Sequence, residues 1–161
     1  MDNMKLFQTI KNNTLFVNII HFNILVFIII IILNALEHLL IKELTNEIIH
    51  YVSVSTNLET LSKKPWTLIS HMFVHKDFLH LLFNLIFFYL GGKIFIQYLS
   101  QKQLLSTYLM GGIIGSIVYI IAFNVFPVFE IIKEDSIAIG ASASVLAILF
   151  CYSFICSKFL Y

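Results

Sequence analysis

The sequence predicts an all-α, polytopic membrane protein, and three observations support this fold class. The 161 residues are 59% hydrophobic, whereas a soluble domain is usually about 45–50% apolar. Charged residues make up 12% of the chain, against about 25% in a soluble domain. Four segments are apolar over the length of about 20 residues that a membrane-spanning helix requires. These observations exclude a soluble domain, and they exclude a disordered chain, which needs low hydrophobicity and high net charge.

The four predicted spans are separated by one long polar region and two short loops. The spans cover about residues 15–36, 78–97, 103–126 and 137–157. The first is not a cleavable signal peptide, because Asn34, Glu37 and His38 follow its apolar centre where small residues would mark a cleavage site. No repeat or flexible linker interrupts the chain, so we expect a single membrane domain over residues 1–161.

The charge balance argues against a nucleic-acid partner and weakly orients the chain in the membrane. The net charge is +1, and all ten basic residues are lysines. Five lysines fall on each side of the membrane, and those beside the first span and the loop after the second favour an inside N-terminus. The lysine-, isoleucine- and asparagine-rich composition is typical of an AT-rich bacterial genome, which predicts the inner (plasma) membrane. Cys151 and Cys156 lie in an apolar run and are interpreted as small core residues.

Polar side chains inside the spans are costly and therefore mark candidate functional residues. His80 and Asn84 are four residues apart in the second span and share one helix face. Ser142 and Ser144 stand in a run of small residues in the fourth span. Other interpretations remain open, because the His80–Asn84 pair can serve as an interhelical clamp and a serine can bond to its own helix.

The remaining histidines and glycines have structural interpretations as well. His71 and His75 repeat the four-residue spacing, and with His80 and Asp77 they raise the possibility of a metal site that lacks a well-placed further ligand. Small residues in the third span predict close helix packing: Gly111, Gly112, Gly115 and Ser116. Two further predictions are that Gly91-Gly92 ends or bends the second span, and that Asn18, His21 and Asn23 lie near the membrane boundary of the first.

The segment from His71 to Gly92 resembles the second-helix signature of rhomboid intramembrane serine proteases. It carries His75-x4-His80-x3-Asn84 and ends in Tyr-Leu-Gly-Gly. Trp66 is similar to the tryptophan of the family's Trp-Arg motif, although Thr67 replaces the arginine. Gly140-Ala141-Ser142 resembles the Gly-x-Ser of the catalytic fourth helix, with Ala143 where glycine is usual. The resemblance covers about residues 15–157.

The resemblance implies a rhomboid-like bundle in which four of the usual six spans are present. It implies that Ser142 is the nucleophile and that His80 and Asn84 line an oxyanion hole. The implied supporting residues are His71, His75, Trp66 and Gly140. The implied activity is endopeptidase cleavage of transmembrane protein substrates within the bilayer, without a metal or an organic cofactor.

One departure from the family pattern concerns the general base, which rhomboids carry as a histidine on the sixth helix. All six histidines of this chain precede residue 81. We therefore expect that the chain is C-terminally incomplete and inactive as given. The alternative is a catalytically dead rhomboid-like protein that binds other transmembrane helices. A small structural or transport protein with coincidental motifs is a weaker third interpretation.

Overall fold

The computed structural model describes residues 14–40, 44–133 and 136–159. Helices dominate these residues. In chain order they are α1 Thr14–Leu40, α2 Leu44–Val52, α3 Leu58–Lys63, α4 Thr67–Ser70, α5 Phe78–Tyr98, α6 Gln101–Val125 and α7 Ser142–Phe159. Short 3₁₀ turns cover His71–Phe73 and Pro127–Phe129, and strand β1, Val54–Ser55, pairs with strand β2, Ile137–Ala138.

Three helices are long and apolar enough to cross a membrane, and they confirm three of the four predicted spans. They are Thr14–Glu37 within α1, Phe78–Tyr98 and Gln101–Val125. The predicted start of the fourth span at residue 137 is wrong, because Ile137 and Ala138 form β2 and the helix begins only at Ser142. Within the described side chains, the apolar part of α7 is Ser142–Cys151.

The antiparallel β1–β2 pair ties the long loop to the connection before α7. Val54 pairs with Ala138 and Ser55 pairs with Ile137. Thr56 is completely buried beside this pair, and its hydroxyl donates to the Lys133 carbonyl. Strands of two residues have no hydrophobic periodicity, so the sequence did not predict them.

Helix α7 packs closely on α6 through small residues on both sides. A Cβ added at Gly111 would lie 2.4 Å from the Ala147 Cβ, and one at Gly115 would lie 2.3 Å from the Ala143 Cβ. Both distances are far below van der Waals contact, so only glycine allows this approach. The predicted small-residue packing is therefore confirmed for Gly111 and Gly115, which bring α7 against α6.

Gly91 and Gly92, which were predicted to end or bend the second span, do not end it and are packing residues. Helix α5 continues through them to Tyr98. An added Cβ at Gly91 would lie 2.7 Å from the Leu149 side chain, and one at Gly92 would lie 2.5 Å from the Phe16 ring. The close approach of α7 and α1 thus explains two glycines in a helix interior, where each costs about 1 kcal/mol relative to alanine.

A buried polar link crosses from α1 to α6 and corrects the predicted boundary position of Asn23. Asn23 is 2% exposed inside the span, and its amide donates to the Ile19 carbonyl at 2.8 Å and the Tyr108 hydroxyl at 3.3 Å. The Tyr108 hydroxyl in turn donates to the Met72 carbonyl at 3.4 Å. Asn18 and His21 on the same helix are exposed. The link fixes the 3₁₀ turn of His71–Phe73 over the centre of the bundle.

Candidate active site

Two hydrogen bonds hold the turn before α7 against the segment before α5. The Gly140 N–H donates to the His71 carbonyl at 2.8 Å. The Ala141 N–H donates to His75 Nε2 at 3.4 Å. The two predicted sequence motifs therefore meet at this turn, through residues that are more than 60 positions apart in the chain.

His71 is fixed by its own short helix. Its Nδ1 lies 2.9 Å from the Thr67 carbonyl, which favours the tautomer with the proton on Nδ1. The side chain is only 4% exposed, and burial lowers the pKa of His71. His71 is therefore neutral at physiological pH and acts here through its backbone carbonyl.

His75 is completely buried and uses one ring nitrogen as an acceptor. Because Nε2 accepts the Ala141 N–H, the proton of the neutral ring belongs on Nδ1. Burial, and to a smaller extent the neighbouring His80 ring, lower the pKa of His75 to about 4. The two imidazole rings have centroids 5.0 Å apart. A neutral His75 keeps the acceptor that holds Ala141, whereas a protonated ring would lose it.

His80 lies directly against Gly140. A Cβ added at Gly140 would be 2.6 Å from both Cε1 and Nε2 of His80. The φ of Gly140 is +107°, in the region that side-chain-bearing residues rarely adopt. The Asp77 carboxylate caps α5 by accepting the His80 N–H at 2.8 Å. The start of α5 thus places the His80 imidazole beside Gly140, which precedes Ser142 by two residues.

Asn84 lies one turn after His80 on α5. Its side chain is 7% exposed, and its amide nitrogen donates to the His80 carbonyl at 2.9 Å. This bond lies within the helix, so the contacts described between the two motifs are made by His71, His75 and His80. The amide is nevertheless held in one orientation on the helix face that carries the imidazole.

Ser142 is the first residue of α7, and its side chain is exposed. The Val145 N–H donates to the Ala141 carbonyl, so the helical bonding begins there. The N–H groups of Ser142, Ala143 and Ser144 come before this bond and have no acceptor within the helix. Within the described residues, the Ser142 hydroxyl also makes no hydrogen bond. The start of α7, its free N–H groups and the exposed Ser142 hydroxyl therefore lie at the same place.

The second serine of the motif has a different environment. Ser144 is completely buried, and its hydroxyl has no hydrogen-bond partner in the described part of the chain. Gly111 faces its backbone, since an added Cβ there would lie 3.3 Å from the Ser144 Cα. Ser144 therefore belongs to the α6–α7 contact, and Ser142 is the exposed serine of the two.

Trp66 supports the long loop at some distance from the histidines. Its indole N–H donates to the Tyr51 carbonyl at 3.0 Å, and the two rings have centroids 5.0 Å apart. The following residue, Thr67, donates its hydroxyl to the Lys64 carbonyl at 2.7 Å. Thr67 thus makes a local backbone bond at the position where the rhomboid motif has arginine.

The sequence did not single out two residues that carry the histidine segment. Met72 is completely buried, and an added Cβ at Gly112 would lie 2.4 Å from its Cε. Tyr108 donates to the backbone of Met72 from α6. A tyrosine hydroxyl in an apolar span is the sequence signal for the second of these, although Tyr119 of the same span shares it. Across the ranges described here, no three His, Cys, Asp or Glu side chains are grouped to hold a metal ion.

Comparison with known families agrees with the resemblance found in the sequence. Residues 62–158, more than half of the chain, match the family model described as Rhomboid domain. The matched range contains Trp66, the three histidines at 71, 75 and 80, and Ser142, and it is shorter than the range of residues 15–157 expected from the motifs. No curated protein and no solved structure matched the chain.

Proposed function

Because the chain belongs to the rhomboid family, we propose that it contributes the nucleophile and the oxyanion hole of an intramembrane serine endopeptidase. Rhomboids are in general serine intramembrane proteases, and the helices of this chain make it an integral membrane protein. The observation that carries the proposal is the contact of His80 with Gly140 beside the exposed Ser142. This contact places a side-chain donor close to a serine at the start of a helix.

The proposed reaction begins with attack of the Ser142 hydroxyl oxygen on the carbonyl carbon of the scissile peptide bond. A C–O bond forms, the hydroxyl proton passes to a general base, and the carbonyl oxygen becomes an oxyanion. The base returns the proton to the leaving amine as the C–N bond breaks. Water then hydrolyses the acyl-enzyme by the same route, which restores Ser142.

The oxyanion would be stabilised by donors that are already oriented. The free Ser142 N–H, the His80 imidazole and the Asn84 amide are the proposed donors, and removal of one such donor typically costs about 10²–10³ in rate. Low exposure of Asn84 strengthens this effect, since electrostatic interactions are stronger away from water. The Asn84 amide would exchange its bond with the His80 carbonyl for the oxyanion.

The general base is proposed to come from a helix other than those of residues 14–159. His75 is poorly suited because its Nε2 accepts the Ala141 N–H and its pKa is lowered to about 4. His71 has its Nδ1 at the Thr67 carbonyl. The exposed face of α7 at Ser142 is where such a helix would pack. We therefore propose that residues 1–161 alone do not cleave substrates.

A catalytically dead rhomboid-like protein that binds other transmembrane helices is the second candidate. The exposed and unbonded Ser142 hydroxyl is the observation that favours it, because a nucleophile in a working site is bonded to its base. In this case the exposed face of α7 would accept a helix without any proton transfer.

Labelling by a fluorophosphonate, which reacts with activated serines, separates the two candidates. The chain is expressed in membranes alone and with two appended helices that carry a Gly/Ala-flanked histidine. The protease proposal expects no labelling of the chain alone and labelling of the extended protein, abolished by Ser142→Ala and retained by Ser144→Ala. Continued absence of labelling in a folded extended protein would favour the dead binder. Labelling of the unextended chain would show that a base is already present within it.

A further inference from the structure

An apolar groove lies between α1 and the long loop, and no residue of α7 lines it. Its volume is about 560 Å³. The α1 side is formed by residues from Phe22 to Leu33, and the loop side by residues of α2, by Trp66 and by Ile69 to Val74. Phe22 and Phe73 close one end with an edge-to-face ring contact, their centroids 4.8 Å apart.

The groove offers no polar group that an occupant would need to satisfy. Ser70 and Trp66 are the lining side chains with hydrogen-bonding atoms. The Ser70 hydroxyl donates to the Val52 carbonyl at 2.7 Å, and the Trp66 indole donates to the Tyr51 carbonyl at 3.0 Å. Both lining donors are therefore occupied, and the groove suits a hydrocarbon ligand.

The dimensions of the groove fit an acyl chain better than a helix. The α1 side advances eleven residues from Phe22 to Leu33, or about 17 Å at 1.5 Å per residue. That length is close to half of the roughly 30 Å hydrocarbon thickness of a bilayer. An extended acyl chain of that length is much thinner than a helix, which is about 10 Å across.

The loop end of the groove carries a positive charge beside aromatic rings. The Lys64 ammonium lies 5.3 Å from the centroid of the Tyr51 ring, and that ring packs on Trp66. The single ion pair found among the described residues joins Lys63 to Glu59, so Lys64 has no carboxylate partner there. Aromatic and lysine side chains are typical of the level of the lipid headgroups.

We propose that this groove is a binding site for one anionic phospholipid. One acyl chain lies along α1 between Phe22 and Leu33, and the phosphate lies near Lys64. The site is distinct from the Ser142 site, and its lipid would fix the long loop to α1. A transmembrane helix from another protein is the competing occupant.

The single tryptophan of the chain makes a direct test possible, because Trp66 lines the groove. The full chain is reconstituted in vesicles of zwitterionic phospholipid that contain a small fraction of anionic phospholipid brominated on its acyl chains. Bromine quenches tryptophan fluorescence at contact. The proposal expects quenching that saturates at a low mole fraction of the anionic lipid and is much weaker with a brominated zwitterionic lipid.

Two variants test the groove and the charge separately. Val26→Phe fills the groove and is expected to abolish the saturable quenching, whereas Ile32→Phe, on an exposed part of the same helix, is expected to leave it unchanged. Lys64→Gln is expected to weaken the preference for anionic lipid about fivefold, the contribution of one lysine near a charged membrane surface. Lys63→Gln is its matched control, since that lysine is exposed and pairs with Glu59.

The outcomes decide the proposal even where one variant does not fold. Equal quenching by both lipids, unchanged by Lys64→Gln, would mean ordinary annular lipid and would overturn it. Absence of quenching together with photocrosslinking of residue 29 to a protein would identify a helix as the occupant and would also overturn it. Because the readout is fluorescence, neither result depends on whether the chain is part of a protease.

Discussion

Replacing Gly140 by alanine should disrupt the contact between the His71–Asn84 motif and the Gly140–Ser142 motif more than a methyl group added at any other position. The added Cβ would lie 2.6 Å from Cε1 and Nε2 of His80, so the imidazole has to move away. The backbone of Gly140 has a φ of +107°, which is strained for alanine whatever the space around it. The neighbouring N–H groups are held by His71 and His75, which leaves little room for the turn to relax.

Two separate costs determine the expected magnitude. Backbone strain at such a φ costs about 1–3 kcal/mol. Overpacking of a well-packed contact costs about 1–3 kcal/mol more. We therefore expect Gly140→Ala to lower the free energy of unfolding by roughly 2–6 kcal/mol. In a version of the protein with a general base, displacement of His80 should also reduce turnover by about 10²–10³.

A double-mutant cycle with His80→Ala separates the two costs. Unfolding by denaturant in mixed micelles, followed by the fluorescence of Trp66, gives the free energy of each variant. Removal of the imidazole should relieve the overpacking, so the effects of Gly140→Ala and His80→Ala should be less than additive by about 1–3 kcal/mol. Strict additivity, or wild-type stability of Gly140→Ala, would refute the argued contact between the ring and the glycine.

Three further predictions follow from single contacts. The pKa of His75 is about 4 in the folded state and about 6.5 in the unfolded state, so the unfolded state binds more protons between these pH values. The free energy of unfolding should therefore fall by roughly 3 kcal/mol as the pH drops from 6.5 to 4. Unfolding measured as a function of pH should show that His75→Gln flattens this dependence. Gly115→Leu should destabilise the α6–α7 contact by at least about 1–3 kcal/mol, whereas Val118→Leu at an exposed position of α6 should not, as thermal unfolding would show. Asn84→Ala in the extended protein should lower kcat about 10²-fold with little loss of stability, and a large loss of stability would instead support the interhelical clamp.

The sequence predicted the spans well because they depend on composition averaged over about 20 residues. Three of the four predicted windows agree with helices long enough to cross a membrane. The small-residue face of the third span was predicted for the same reason, since Gly111 and Gly115 stand four residues apart on one side of α6. The apolar spans and the small-residue face both depend on a pattern along many residues, so a local irregularity does not change the prediction.

The features that the sequence missed depend on contacts between distant segments. Ile137 and Ala138 are apolar and were assigned to a helix, but pairing with Val54 and Ser55 makes them a strand. The Gly91-Gly92 pair was predicted to end or bend the second span, yet α5 continues through it, and an added Cβ there would meet Leu149 of α7 and Phe16 of α1. In each case a tertiary contact decided the conformation against the local preference.

The residues of the candidate site were predicted from the sequence, whereas the geometry of the site follows from the loop that precedes α5. The turn at Gly140 and Ala141 has its two N–H groups held by residues 71 and 75, and its glycine lies under the ring of residue 80. The direction in which α7 presents the Ser142 N–H is therefore set by a segment that contributes no proposed nucleophile. Since α7 begins at Ser142 itself, a shift of this turn moves the serine with it. The three histidines accordingly have different tasks: two fix the backbone of the turn, and in the proposed reaction the third would stabilise a charge beside it.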